Sequence, residues 1–78
     1  MIIEMYTTQN CSFCTSAKAL LKQKKLSYQE IDVSTDARKA SEMIDRSGQR
    51  TVPQIFINGK PIGGFTELAK IHRAGGLV

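Results

Sequence analysis

An α/β domain built on one four-stranded mixed sheet is what this 78-residue sequence predicts, and three observations carry the prediction. Short runs rich in β-branched and aromatic residues alternate with stretches of helical periodicity, in the order strand, helix, strand, helix, strand, strand, helix. The first strand–helix–strand unit calls for a parallel pair joined by a right-handed crossover. An Asn58-Gly59 dipeptide between two apolar runs then adds an antiparallel hairpin, because both residues tolerate the positive φ of a tight two-residue turn.

Each element has its own warrant. Ile2 to Tyr6 reads as a buried strand, and the polar Thr7-Thr8-Gln9-Asn10 as a loop. From Ser12 to Lys24, Phe13, Ala17, Leu20 and Leu21 recur at helical spacing opposite Thr15, Lys18 and Lys22, with lysines gathered at the end that the helix dipole favours. Leu26 to Val33 carries Tyr28, Ile31 and Val33 as a second strand. Ser34-Thr35-Asp36 supplies capping residues for a helix with Ala37, Ala40, Met43 and Ile44 on one side and Gly48 as its left-handed stop. Gln54–Ile57 and Lys60–Gly63 are the hairpin strands; Pro61 cannot donate to a ladder, which puts the last strand at the sheet edge. Gly63-Gly64 allows a sharp turn, Thr66 is the expected cap of a third helix with Glu67 at its positive end, and Gly75-Gly76 stops it.

Composition narrows the function classes. One domain of this length has room for one sheet and two or three helices, with 41% hydrophobic and 23% charged residues. The net charge of +4 is scattered and does not form a stripe interleaved with the five aromatics, which argues against nucleic acid and for a mild attraction to small anionic thiols. Met1-Ile2-Ile3-Glu4 has neither the basic nor the long apolar region of a signal peptide, and no run approaches membrane-spanning length. The expectation is a monomer in the cytoplasm, away from membranes.

Cys11 and Cys14 sit where the first strand gives way to the first helix. With Cys11 as the last loop residue and Ser12 opening the helix, unpaired N–H groups favour a thiolate at Cys11. Cys14 is one turn further in, a neighbour within reach of a disulfide. In a reducing compartment such a pair cycles between thiols and disulfide.

With that order in place the chain resembles the glutaredoxins of the thioredoxin-like fold, along nearly its whole length, as one domain spanning residues 1–78 with βαβαββα order and three helices flanking the sheet. The landmarks are Tyr6-Thr7, the Cys11-to-Cys14 motif, Thr51-Val52-Pro53, and Gly63-Gly64 followed by Phe65-Thr66-Glu67-Leu68. The resemblance implies a glutathione-dependent oxidoreductase that reduces glutathione mixed disulfides and protein disulfides, with Cys11 as nucleophile and Cys14 as resolving thiol. It implies a cis Pro53 opposite the nucleophile, although X-Pro bonds are generally trans. Val52 would pair its backbone with the cysteinyl part of glutathione, and the N–H groups of Phe65 and Thr66 would hold the γ-glutamyl carboxylate, as a helix N-terminus suits. Glu67, where the family often has Asp, would meet the γ-glutamyl ammonium. Tyr6, Phe13, Thr51 and Gly64 would line the groove.

Three departures accompany the likeness. Ser12-Phe13 replaces the Pro-Tyr common between the cysteines, Thr8 stands where many members have Lys, and Ala40 lies where the second helix often supplies Gln or Arg. The last two would weaken the grip on the glycine carboxylate, for which Arg38, Lys39 and Arg50 are the available substitutes. The departures keep two other readings open: a redoxin fed by thioredoxin reductase, and a carrier of a [2Fe–2S] cluster held by Cys11 of two protomers and two glutathiones. Structural zinc wants four ligands, and beyond the cysteines only His72, expected to be a solvated dipole partner at the end of the last helix, is at hand.

Overall fold

The computed structural model describes residues 1–77. Its strands and helices follow the expected order: β1 (Ile3–Thr7), α1 (Ser12–Gln23), β2 (Gln29–Asp32), α2 (Ala37–Ser47), β3 (Gln54–Ile57), β4 (Lys60–Gly63) and α3 (Phe65–Arg73). The sheet runs β2-β1-β3-β4. β1 is parallel to β2, with Tyr6 opposite Ile31, and antiparallel to β3, with Met5 opposite Ile55. β4 pairs antiparallel with β3 at the edge, where Pro61 leaves no ladder bond unmade.

The period of two along β1 divides the core. Ile3 and Met5 join Ile55, Ala17, Leu21, Leu68 and Leu77 on the face covered by α1 and α3. Tyr6 joins Phe56 and Met43 on the face covered by α2. On that second face Arg46 of α2 donates to both Glu4 oxygens, at 3.2 and 2.9 Å, and to the Tyr6 hydroxyl at 2.9 Å, while its guanidinium lies 4.0 Å from the centroid of Phe56. Tyr6 in turn donates to Glu42.

Capping explains where the helices stop and start. Lys25 takes a φ of 57°, and the Leu26 N–H bonds back to the Leu21 carbonyl at 2.9 Å, so this stretch closes α1 and β2 is shorter than the apolar run. Asp36 Oδ1 accepts the Lys39 N–H at 3.1 Å to open α2, and Gly48 closes it at φ 74°. Ala37, expected on the apolar side of α2, is exposed at its first turn. The cap of α3 is Gly64 and not Thr66: the Glu67 carboxylate reaches back to the Gly64 N–H at 2.7 Å, which starts the helix at Phe65 and leaves Thr66 inside the first turn. At the other end the Gly76 N–H bonds to the Ile71 carbonyl at 2.9 Å, and Leu77 folds back into the core.

The ionisable groups that gain hydrogen-bond partners in the fold favour neutral pH. Lys18 and then Thr7 hold Glu30 below the ordinary carboxylate value, and the Tyr6 hydroxyl does the same for Glu42. Burial, reinforced by the hydrogen bond to Glu42, pushes the Tyr6 phenol up. These two carboxylates, and with them Asp32, stabilise the fold above pH 4.5, and that contribution is lost as pH falls through their folded values. The phenol contributes below pH 10 and is lost as pH rises through its raised value. Urea midpoints measured from pH 3 to 11 are expected to trace a plateau with both limbs, and the alkaline limb is expected to change in Tyr6→Phe.

Candidate active site

Cys11 is the N-cap of α1. Its backbone is extended, with φ −110° and ψ 106°, and its Sγ accepts the Cys14 N–H at 3.1 Å. The loop that delivers it turns at Asn10, whose φ is 58°, and is pinned from outside by the Gln9 N–H donating to Ser34 Oγ at 2.9 Å. Ser34 is itself fixed, its N–H bonded to Asp32 Oδ1 at 2.8 Å. Cys11 and Cys14 are joined as a disulfide across 5.2 Å between Cα atoms. The two cysteines differ in exposure: Cys14 is 1% exposed in the core, whereas Cys11 is only partly covered.

On one side of Cys11 stands the segment before β3. The Val52 carbonyl oxygen is 3.8 Å from Cys11 Sγ, and the Val52-Pro53 peptide is cis, as the resemblance implied. The start of α3 packs against the same proline, since a Cβ on Gly64 would stand 3.2 Å from the Pro53 carbonyl oxygen. Phe13, 61% exposed, lies nearly parallel to Phe65 with ring centroids 6.2 Å apart, so the first turns of α1 and α3 meet through an aromatic pair. On the other side of Cys11 is a polar cleft of about 560 Å³ lined by Thr8, Gln9, Asn10, Ser12, Thr15, Lys18, Glu30 and Asp32. Lys18 is bound there to Glu30 at 2.9 Å, and the Ser34 N–H holds Asp32 below the ordinary carboxylate value. The cleft therefore carries two carboxylates and one engaged lysine, and the chain's excess positive charge is not concentrated beside Cys11.

The candidates from the sequence fall into three groups. Cys11, Cys14, Phe13, Val52, Pro53, Gly64 and Phe65 are joined by the contacts just described, and Thr8 lines the polar cleft. Arg50, Thr51 and Thr66 are exposed on the segment before Val52 and on the first turn of α3; Thr51 Oγ1 accepts the Gln54 amide at 3.1 Å. Tyr6 is not a wall of the groove. It is fully buried, edge-on to Phe56 at 5.6 Å, with its hydroxyl held by Glu42 and Arg46, because strand alternation turns it toward α2. Glu67 does not stand free, since it caps its own helix.

The proposed substitutes for a missing cation are partly occupied. Lys39 pairs with Glu42 at 3.6 Å, and Arg38 borders a separate hollow on α2 with Ser41 and Asp45. His72 is half-buried with Nδ1 enclosed and unpartnered, not the solvated residue expected. Among the described residues no three His, Cys, Asp or Glu side chains come together as a metal site, and no helix is long and apolar enough to cross a membrane. The pinning Ser34, the Lys18–Glu30 pair and the Phe13–Phe65 stack were not anticipated; the one signal for the stack was an aromatic residue in the first turn of each helix.

The chain matches the family model described as glutaredoxin over residues 3–62. It is 48% identical over 75 residues to glutaredoxin 3 of Escherichia coli strain K12, covering 96% of this chain and 90% of that protein. Among solved structures, the buckwheat glutaredoxin–glutathione complex superposes with a TM-score of 0.85 at 33% identity, covering 96% of this chain and 71% of that one. The solution structure of glutaredoxin from Brucella melitensis gives 0.84 at 39% identity, with 99% and 84% covered.

Proposed function

We propose that glutathione is the reductant of this chain, which belongs to the glutaredoxin family and is a thiol–disulfide oxidoreductase. The observation that carries the reading is the pair of unequal sulfurs: an accessible Cys11 at a helix start, accepting a backbone N–H, over a buried Cys14. A glutathione complex among the solved relatives supports the choice of thiol.

The reaction follows from thiolate chemistry. Cys11 thiolate attacks the glutathionyl sulfur of a mixed disulfide; the Cys11–glutathione disulfide forms, the target thiolate leaves, and it takes a proton from water. A second glutathione thiolate then attacks the glutathionyl sulfur, releasing oxidised glutathione and regenerating Cys11 thiolate. With a protein disulfide, Cys11 becomes joined to one target sulfur, and Cys14 thiolate displaces it to close the Cys11–Cys14 disulfide. Two glutathiones reopen that disulfide. Val52 pairs with the cysteinyl backbone, the Phe65 and Thr66 N–H groups receive the γ-glutamyl carboxylate, and Thr8, Phe13, Arg50, Thr51, Pro53 and Gly64 form the surrounding walls. The partners are glutathione and glutathionylated or disulfide-containing proteins of a reducing compartment such as the cytoplasm. A [2Fe–2S] cluster takes four ligands, of which one chain offers Cys11, and no observation favours that reading.

The test is reduction of a glutathionylated peptide with glutathione, glutathione reductase and NADPH. Turnover there is expected; turnover with thioredoxin reductase and NADPH alone overturns the reading. Thr8 supplies a graded check, since it lines the cleft beside Cys11. Thr8→Lys adds an exposed charge worth about 0.2–1 kcal/mol, so the apparent KM for glutathione is expected to fall by at most about fivefold. The fall should shrink toward physiological salt. An unchanged KM at low salt means that Glu30 and Asp32 neutralise the new lysine or that the glycine carboxylate lies elsewhere.

A further inference from the structure

The start of α3 is built more tightly than a helix end requires. Glu67 Oε1 accepts the Gly64 N–H at 2.7 Å, while the Gly64 carbonyl accepts the Leu68 N–H at 3.1 Å, so Gly64 is held through both of its backbone groups. The Glu67 stem lies on Gly63, whose φ is +107°; a Cβ there would come within 2.7 Å of Glu67 Oε1 and 2.9 Å of its Cγ. Gly64 also meets the Pro53 carbonyl oxygen, which leaves 3.2 Å for any added Cβ. Glu67, the two glycines and Pro53 thus form one packed unit. That unit sets the direction of the next two N–H groups, those of Phe65 and Thr66, which intrahelical bonding leaves unpaired.

We propose that Glu67 is a positioning residue for the γ-glutamyl end of the groove, acting through the Gly64 N–H and not by contact with the ligand's ammonium. The inference rests on the glutathione reading above. The two roles make different chemical demands: an ammonium partner must be negative, whereas a cap needs only an oxygen acceptor at that point, which an amide supplies as well. Glu67→Gln keeps the acceptor and removes the charge, and Glu67→Ala removes both.

The experiment uses one peptide, blocked at its cysteine either with glutathione or with 2-mercaptoethanol, which has no γ-glutamyl group. Steady-state kinetics on both substrates are combined with hydrogen exchange at the Gly64 amide. For the glutathionylated peptide, Glu67→Gln is expected to keep KM within about twofold and Glu67→Ala to raise it about fivefold, with kcat nearly constant. Neither variant should alter the mercaptoethanol substrate, and Gly64 exchange should quicken only in Glu67→Ala. A Glu67→Gln loss as large as that of Glu67→Ala, with Gly64 still protected, overturns the proposal in favour of direct ammonium contact. An unchanged KM in Glu67→Ala overturns it as well. If Glu67→Ala does not fold, Glu67→Gln decides alone: a KM within about twofold of the parent upholds the proposal, and a larger rise with Gly64 still protected overturns it. Wild-type protein that treats the two blocked peptides alike overturns the glutathione reading, and this inference with it, before any variant is compared.

Discussion

Cys11→Ser is expected to reduce turnover to background on glutathionylated and disulfide-linked proteins alike, whereas Cys14→Ser keeps the first activity and loses most of the second. The asymmetry has a structural origin. Cys11 is the partly exposed cysteine, and the hydrogen bond its Sγ accepts comes from the backbone N–H of residue 14, which no side-chain change removes. A free thiol with a pKa near 8.5 is only a few per cent ionised at pH 7, and the helix dipole alone, at about 0.3–1 kcal/mol, moves it by less than one unit. The N–H contact survives in Cys14→Ser, so much of the activation of Cys11 survives with it. Serine at position 11 has no accessible anion in this pH range. Cys14→Ser should also trap target proteins as Cys11 mixed disulfides that glutathione releases, visible as adducts by intact-mass spectrometry. Equal, total losses in the two variants on the glutathionylated peptide would exclude the one-cysteine route.

Where the chain's instructions are local, the fold could be read from them directly. Asn58 and Gly59 take φ of 52° and 82°, and the flanking strands begin and end where the turn chemistry places them. Gly48 closes α2 for the same kind of reason. The misreadings mark competition between two local rules or dependence on distant residues. Thr66 is a good cap by type, but Glu67 lies three residues after Gly64 and decides the start of α3 by reaching it. The family resemblance implies Tyr6 as a groove residue, although strand alternation already puts it on the face of Glu4 and away from Met5. The ladder between β3 and β4 is shifted so that Ile55 faces Gly63 while Phe56 faces Pro61, a bulge with no signal but the glycine. Of the site, the Cys11–Cys14 pair and the cis proline beside it were legible because their spacing is short or their family pattern ordered. The pinning of the loop by Ser34, 25 residues from Gln9, was not, because it exists only after the strands have paired.

The second large effect is expected far from the sulfurs, in Arg46→Ala, which should lower stability by about 2 kcal/mol while leaving kcat/KM at low temperature unchanged. Arg46 bridges elements 42 residues apart: its forked guanidinium takes both oxygens of Glu4 on β1 and donates to the Tyr6 hydroxyl two residues on, with the plane over Phe56 of β3. An exposed ion pair would contribute about 0–1 kcal/mol. Here the two side chains are only 29% and 23% exposed, so the pair is partly removed from water and its loss leaves Glu4 short of a partner. The cation over Phe56 adds about 0.5–1 kcal/mol. For a domain of this size each kcal/mol moves the melting midpoint by about 4–8 °C, so a drop near 10 °C is expected. Two further variants separate the causes. Arg46→Met keeps an apolar stem over Phe56 and isolates the charge-assisted bonds; Arg46→Lys keeps the charge but lacks the planar fork that meets both Glu4 oxygens. A midpoint in Arg46→Ala within 2 °C of the parent would show that the fork between β1 and α2 contributes nothing, and full restoration by Lys would show that charge alone suffices.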